Sequence, residues 1–134
     1  MVLDNVRIDL KKVKIPVYNL ATREDHIAPM ASVFRIGGLM GGKTKFVVSG
    51  SGHIAGVVNP PDARKYKYWT NEKSAGRLED WLKDATEHAG SWWPDWLAWI
   101  QPLSGSQIPA RVPGDGKLKP LGDAPGTYVK VRAD

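Results

Sequence analysis

Two short apolar segments with a helical pattern between them dominate the first half of the chain. Residues 13–20, VKIPVYNL, have the length of a strand and are rich in β-forming side chains. Residues 28–40 carry apolar side chains at helical spacing after Pro29, and two glycines then predict the end of that helix. Residues 44–49 form a second apolar strand. The order strand, helix, strand predicts a right-handed crossover that joins two parallel strands.

The second half of the chain has a different character. Apolar side chains recur at i, i+3, i+4 and i+7 within residues 75–87, which predicts an amphipathic helix. A second, shorter helix is predicted from Pro94, with several tryptophans along it. Residues 102–126 contain five prolines and five glycines and are predicted to be loop. The closing segment TYVKVR, residues 127–132, alternates like a short edge strand.

Two parallel strands with one crossover are too few for a stable sheet. Both faces of a parallel sheet need cover, and one strand-helix-strand unit buries too little surface to supply it. We therefore expect the chain to be the last part of a larger α/β domain whose earlier strands lie outside it. Residues 1–101 are assigned to this part of the domain, and residues 102–134 to a wrapping tail of the same domain.

Length and composition narrow the class of protein. The 134 residues suffice for one small domain, with 42% apolar and 25% charged residues. No apolar run approaches the roughly 20 residues of a membrane span, and the start of the chain lacks the apolar centre of a signal peptide. These features predict a cytoplasmic protein without a membrane span. The absence of cysteine excludes a disulfide framework and a thiolate metal site.

The net charge of +5 raises the question of an anionic partner. The basic residues are spread along the chain, and their densest stretch is ARKYKYW, residues 63–69. Basic residues interleaved with aromatics suit a platform for single-stranded nucleic acid, and they also suit an opening that attracts an anionic substrate. A solvated face is the commonest outcome of such a pattern, and we expect no nucleic-acid partner.

Two polar residues follow the predicted parallel strands and are the candidates for chemistry. Asp25 comes after the first strand and His53 after the second, and ligands bind at that edge of open parallel sheets. An aspartate there can accept the Nδ1 proton of the histidine and leave Nε2 to take a proton from a nucleophile. The alternative is that both residues are only solvated or locally hydrogen-bonded. His26, beside Asp25, is an equally available imidazole.

Other residue clusters have less specific interpretations. His88 is predicted at a helix end, where a capping role is the ordinary one. Three histidines without cysteine or an H-E-x-x-H motif give little support to a metal site. Four of the six tryptophans lie within residues 92–99. Such a cluster is usually a packed lid over a core, and the alternative is a surface for a hydrophobic partner.

Four segments carry a resemblance to a known family. They are PVYNLATREDHIAP (16–29), FVVSGSGHIAGVVNPP (46–61), YWTN (68–71) and ATEHAGSWWPDWLAWI (85–100). Together they resemble the carboxyl-terminal section of class I polyhydroxyalkanoate synthases, over nearly the whole chain. The resemblance implies the carboxyl-terminal portion of an α/β-hydrolase fold, with the last two parallel strands, Trp-rich helices and a Pro/Gly-rich tail.

The same resemblance implies a function. Members of this family are acyltransferases that polymerise (R)-3-hydroxyacyl-CoA into polyester and release CoA, with a Cys-Asp-His triad and no cofactor. Asp25 matches the family's catalytic aspartate and His53 its catalytic histidine. The implied partners are the acyl-CoA substrate, the growing polyester chain and the upstream part of the same enzyme. A homodimer and association with polyester granules are left open.

The chain departs from the family pattern at the nucleophile. It contains no cysteine, and none of its serines has a glycine both two positions before and two after it. We therefore expect a fragment that begins at an internal Met1, lacks the nucleophile and is inactive alone. The alternative is a non-catalytic interaction module whose Trp-rich helices bind a hydrophobic polymer or granule surface.

Overall fold

The structure, a computed structural model that describes residues 2–133, contains a four-stranded mixed sheet. A short antiparallel hairpin, β1 (Val2–Leu3) and β2 (Val6–Arg7), comes before it. The sheet contains β3 (Val17–Thr22), β4 (Thr44–Ser49), β5 (Lys67–Thr70) and β6 (Thr86–Ala89), in that order across it. Strands β3 and β4 are parallel, and β5 and β6 continue the sheet antiparallel.

Within residues 2–133, five short helices connect or follow the strands. Two of them, α1 (Met30–Phe34) and α2 (Ile36–Leu39), join β3 to β4. Helix α3 (Ala55–Val58) follows β4, α4 (Leu78–Lys83) joins β5 to β6, and α5 (Trp93–Ile100) follows β6. Single 3-10 turns lie at Leu10–Lys12, Pro61–Ala63, Gln101–Leu103 and Tyr128–Lys130.

One face of the sheet carries the hydrophobic core. Phe46 of β4 is fully buried, with its ring centroid 4.9 Å from that of Phe34 in α1 and 4.9 Å from that of Trp81 in α4. Both contacts are edge-to-face, the arrangement that aromatic quadrupoles favour. Ala21 and Val48 complete the buried cluster. This core holds the crossover helix and α4 against the sheet.

The opposite face of the sheet holds α5 through a polar contact. The hydroxyl of Tyr18 donates to Asp95 Oδ2 at 2.8 Å, and Lys45 Nζ lies 2.8 Å from Asp95 Oδ1. Burial raises the pKa of Tyr18 above its ordinary value, so the hydroxyl stays protonated and keeps its role as donor. Trp99 packs on the Tyr18 ring at a centroid distance of 5.3 Å. The sheet is therefore covered by helices on both faces.

The chain divides into two compact units after Leu103. The second unit, from Ser104 on, contains turns and the 3-10 turn at Tyr128–Lys130, and Lys119 Nζ donates to the carbonyl of Gly114 within it. Met1, the predicted internal start, and Asp134, the end of the predicted tail, lie outside the described residues.

The parallel pair predicted from the sequence is confirmed, with changes at its boundaries. Strand β4 covers the predicted residues 44–49, whereas β3 begins only after Pro16 because proline cannot donate to a strand ladder. The two glycines expected to end the crossover helix lie inside α2, which ends at Leu39. Residues 102–126 contain no strand or α-helix, as predicted.

The structure of the second half differs from the sequence predictions in three segments. The helix expected over 75–87 ends at Lys83, since residues 86–89 pair with β5 as a strand. Residues 67–70 were not predicted as a strand, yet they form β5, so the sheet is mixed and larger than the two parallel strands expected. The closing TYVKVR forms a 3-10 turn at Tyr128–Lys130 in place of an edge strand.

The packing of Phe46 generates a stability prediction. Phe46→Ala leaves a cavity between Phe34 and Trp81, and we expect a loss of about 3–5 kcal/mol in the free energy of unfolding. Urea unfolding followed by tryptophan fluorescence measures this loss. Ile15→Ala, at an exposed apolar side chain, is the matched control and should change the free energy by less than about 0.5 kcal/mol. Equal effects of the two substitutions would contradict this core assignment.

Candidate active site

The turn after β3 holds the carboxylate of Asp25 in place. Asp25 Oδ1 accepts hydrogen bonds from the backbone N–H groups of Ile27 and Ala28, each at 2.8 Å. Asp25 Oδ2 accepts a longer bond of 3.3 Å from the hydroxyl of Thr22, the last residue of β3. The side chain is only 6% exposed. The carboxylate is therefore fixed by its own turn, independently of any ligand.

The turn after β4 brings His53 back over the edge of the sheet. Ser51 adopts a positive φ of 71°, and it stands between two glycines that allow the chain to turn closely. The backbone N–H of Glu24 donates to the carbonyl of Ser51 at 3.0 Å, which ties this turn to the turn that carries Asp25. The two turns are thus neighbours, as expected from adjacent parallel strands.

The two predicted site residues are in direct contact. His53 Nδ1 lies 2.7 Å from Asp25 Oδ2. The His53 side chain is 45% exposed, so the ring is supported on one side by the carboxylate and open on the other. His26, the competing imidazole, is exposed beside Asp25, and the structure selects His53 as the partner.

The charge state of Asp25 decides which nitrogen of His53 carries the proton. The hydrogen bond from the Ala28 N–H, with further bonds from His53 and Ile27, lowers the pKa of Asp25 to about 2. An ionised carboxylate is an acceptor only, so Nδ1 of His53 is the donor. Nε2 of the neutral ring is then the nitrogen that can accept a proton from a nucleophile.

The structure shows roles for side chains that sequence reasoning did not single out. Thr22 and Ser49 are buried polar residues at the carboxyl ends of β3 and β4. Thr22 donates to Asp25, and Ser49 donates to the carbonyl of Gly56 in α3 at 2.8 Å. The sequence signal that could have identified them is a hydroxyl residue at the last position of each strand.

His88 has a structural environment of its own. Its Nε2 lies 2.8 Å from the hydroxyl of Thr70, and its ring stacks on Tyr68 at a centroid distance of 4.7 Å. It lies in β6, so the helix-end position predicted for it is wrong. Both contacts join β6 to β5.

A cavity with charged side chains in its lining lies away from Asp25 and His53. This cavity, of about 370 Å³, opens at the other end of β3 and β4, lined by Pro16, Thr44 and Trp99 among others. Lys45 and Asp95 also line it, and they are paired with each other. The Asp25–His53 pair is therefore the better candidate for chemistry, because an imidazole oriented by a carboxylate is a recognised catalytic arrangement.

The described residues offer neither a cluster for a metal ion nor a helix that could span a membrane. Within residues 2–133, no three His, Cys, Asp or Glu side chains lie close enough together to hold a metal ion. Every helix of this part of the chain is too short or too polar to cross a membrane.

Comparison with known proteins gives a consistent result. No family model matches the chain. It is 58% identical over 132 residues to the poly(3-hydroxyalkanoate) polymerase subunit PhaC of Rhizobium etli, an alignment that covers 98% of this chain and 21% of that protein. It is 58% identical to the poly(3-hydroxyalkanoate) polymerase of Methylorubrum extorquens, over 99% of this chain and 22% of that protein. The PhaC subunit of Cupriavidus necator is 42% identical over 96% of this chain, again 22% of the relative.

The first two alignments cover 98% and 99% of this chain, so they include both turns of the site. The chain spans about a fifth of the length of the curated relatives it matches. By this similarity, the chain belongs to the poly(3-hydroxyalkanoate) polymerase family.

Proposed function

We propose that this chain supplies the aspartate and histidine of a Cys-Asp-His acyltransferase site that polymerises (R)-3-hydroxyacyl-CoA into polyester. His53 is the general base and Asp25 orients it. The cysteine belongs to a part of the polymerase outside these 134 residues. The observation that carries the proposal is the 2.7 Å contact between His53 Nδ1 and Asp25 Oδ2 at the carboxyl edge of two parallel strands.

The proposed reaction has two proton transfers through His53. Nε2 takes the proton of the cysteine thiol, and the thiolate attacks the thioester carbonyl carbon of the acyl-CoA. The carbon–sulfur bond to CoA breaks, and the CoA sulfur leaves with the proton from the imidazolium. Nε2 then takes a proton from the 3-hydroxyl group that attacks the acyl-enzyme, so an ester bond forms and the thiol is restored.

Asp25 suits this role because its charge is constant. With its pKa lowered to about 2, the Asp25 carboxylate is ionised at neutral pH. It therefore accepts the hydrogen bond from the Nδ1–H of His53 in each step and stabilises the imidazolium that forms.

The proposed fold and location follow from the same resemblance. Residues up to 101 would be the carboxyl-terminal portion of an α/β-hydrolase-type catalytic domain, with residues 102–134 as a tail of that domain. The parallel pair β3–β4, with the acid after one strand and the histidine after the next, is in keeping with this fold. A cytoplasmic location is part of the proposal.

The catalytic assignment is tested in a chimera. This chain replaces the matching fifth of the Methylorubrum extorquens polymerase, and CoA release from 3-hydroxybutyryl-CoA is measured. We expect His53→Ala and Asp25→Asn each to lower the rate on the order of 10⁴-fold. In the second variant an amide donates to Nδ1, so the proton moves to Nε2 and the base is lost.

The matched controls change a histidine and an aspartate outside the proposed pair. His26→Ala and Asp62→Asn change an exposed imidazole and an exposed carboxylate, and both should retain the rate of the chimera. The unmodified 134-residue chain by itself should release no CoA above the buffer background. A chimera that works equally well with His53→Ala would overturn the assignment.

The lowered pKa of Asp25 can be tested by titration. We expect the Asp25 carboxyl carbon, followed by NMR, to titrate with a midpoint near 2, below the ordinary value of about 3.9. His53→Gln should raise that midpoint only in part, because the larger contribution from the Ala28 N–H remains.

The sign of the effect on stability follows from linkage. A carboxyl with a lowered pKa in the folded state stabilises that state above its unfolded pKa, and the contribution is lost as the pH falls toward 2. Between pH 4 and pH 2 the unmodified chain should therefore lose stability relative to Asp25→Asn. A midpoint near 3.9 would show that the turn does not hold the carboxylate as described.

A second function, binding to a hydrophobic polyester surface, has one observation in its favour. Trp93, Trp96 and Leu97 of α5 are exposed, and so is Ile54 at the start of α3. Large apolar side chains exposed together are typical of interaction surfaces.

Binding of the chain to poly(3-hydroxybutyrate) particles tests this second function. Trp96→Ser with Leu97→Ser should weaken binding by about tenfold or more, because apolar area is lost. Trp99 is left unchanged since it packs on Tyr18. Leu118→Ser, at an exposed residue of the second unit, is the control and should have no effect. Equal binding by all variants would exclude this surface.

A further inference from the structure

The last carbonyls of α3 are bound by side chains from two other elements. A helix of only four residues leaves its final carbonyl groups without partners in the helix. The carbonyl of Gly56 accepts from the Ser49 hydroxyl at 2.8 Å and from the Trp92 indole N–H at 3.2 Å. The carbonyl of Val57 accepts from the indoles of Trp92 and Trp93 at 3.1 and 3.2 Å. Strand β4 and the start of helix α5 therefore both bind the carbonyls of α3.

Gly56 allows α3 to lie directly against the sheet. A Cβ atom at this position would lie 2.7 Å from Thr22 Cγ2 and in still closer contact with the carbonyl oxygen of Gly50. Real Cβ atoms do not approach other atoms so closely, and both neighbours are buried. Any larger residue would therefore move α3 away from the ends of β3 and β4.

The same contact connects both members of the candidate pair. The N–H of Gly56 donates to the carbonyl of Gly52 at 2.9 Å, so His53 lies in the turn that leads into α3. On the other side, Thr22 touches Gly56 and donates its hydroxyl to Asp25. The position of Gly56 thus sets the separation of the two turns that carry Asp25 and His53.

We propose that Ser49, Gly56, Trp92 and Trp93, the α3 clamp, are positioning residues that hold His53 against Asp25. The catalytic meaning of this inference rests on the proposed function, but the geometry it predicts does not. The clamp also gives two of the clustered tryptophans a role, because their indole N–H groups act as donors to α3. A misplacement of about 1 Å in a catalytic group lowers rates on the order of 10²-fold.

The direct test compares two glycines in helices of equal length. Gly56→Ala in the chimera should lower kcat roughly 10²-fold with KM unchanged. In the 134-residue chain it should weaken the NMR signal of the His53 Nδ1 proton shared with Asp25. Gly38→Ala is the matched control. Gly38 lies in the four-residue helix α2, and an added Cβ there would have no atom outside that helix within 4 Å. This substitution should leave kcat, KM and the NMR signal unchanged.

A double-mutant cycle tests the clamp with Gly56 retained, in case Gly56→Ala does not fold. Ser49→Ala and Trp92→Phe each leave the Gly56 carbonyl one donor, so each alone should have a small effect on kcat. Together they should cost more than the sum of the two, because that carbonyl then loses both donors. Trp69→Phe, in β5, is the control for the loss of an indole N–H that does not donate to α3, and it should leave kcat unchanged.

The outcomes separate the clamp from the proposed function. If Gly56→Ala and the double variant fold cooperatively and keep both the NMR signal and kcat, the clamp is wrong. If these variants lose the NMR signal while the chimera works without His53, the clamp is right and the proposed function is wrong. If the signal and kcat fall together with KM unchanged, both stand.

Discussion

The parallel pairing of β3 with β4 is the constraint on which the candidate site depends. The register runs from Val17 opposite Thr44 to Thr22 opposite Ser49, so both strands end at the same level. Pairing continues into the turns, where the N–H of Arg23 donates to the carbonyl of Ser49. Asp25 and His53 are 28 positions apart, and they meet because this register brings their turns side by side.

The two faces of the sheet have different tasks. On one face, Phe46 packs with Phe34 and Trp81, and this aromatic core provides the burial that keeps the strands together. The other face combines the buried Val47 and the packing of Trp99 on Tyr18 with polar contacts, in which Asp95 binds Tyr18 and α3 is bound through its carbonyls. Hydrogen bonds have defined directions and hydrophobic contacts do not, so the second face is suited to fix the orientation of a side chain.

The tryptophans illustrate how one residue type serves both faces. Trp81 is almost completely buried in the core, and its indole N–H donates to the carbonyl of Lys73. Trp92 and Trp93 are more exposed, and their indoles bind the end of α3. The expectation of a packed lid over a core thus describes Trp81 better than the cluster at 92–99. A large ring with a single N–H can fill a core or reach a carbonyl, and composition cannot distinguish these uses.

The sequence alone was sufficient for the features with local causes. The apolar strands around Val17–Thr22 and Thr44–Ser49 and the helical segment after Pro29 follow from side-chain pattern and turn residues. The same pattern made Asp25 and His53 candidates at a shared strand edge but left local hydrogen bonding and His26 as alternatives, and the family resemblance singled out the pair. The family resemblance rests on the same segments. Only the tertiary structure decided that residues 86–89 pair as a strand although the helical pattern reaches Ala85, and that residues 67–70 bridge them to β4. Strand pairing joins residues that are far apart in the chain, and so does the contact of Gly56 with Thr22 that positions His53. The local pattern of residues therefore predicts neither of them.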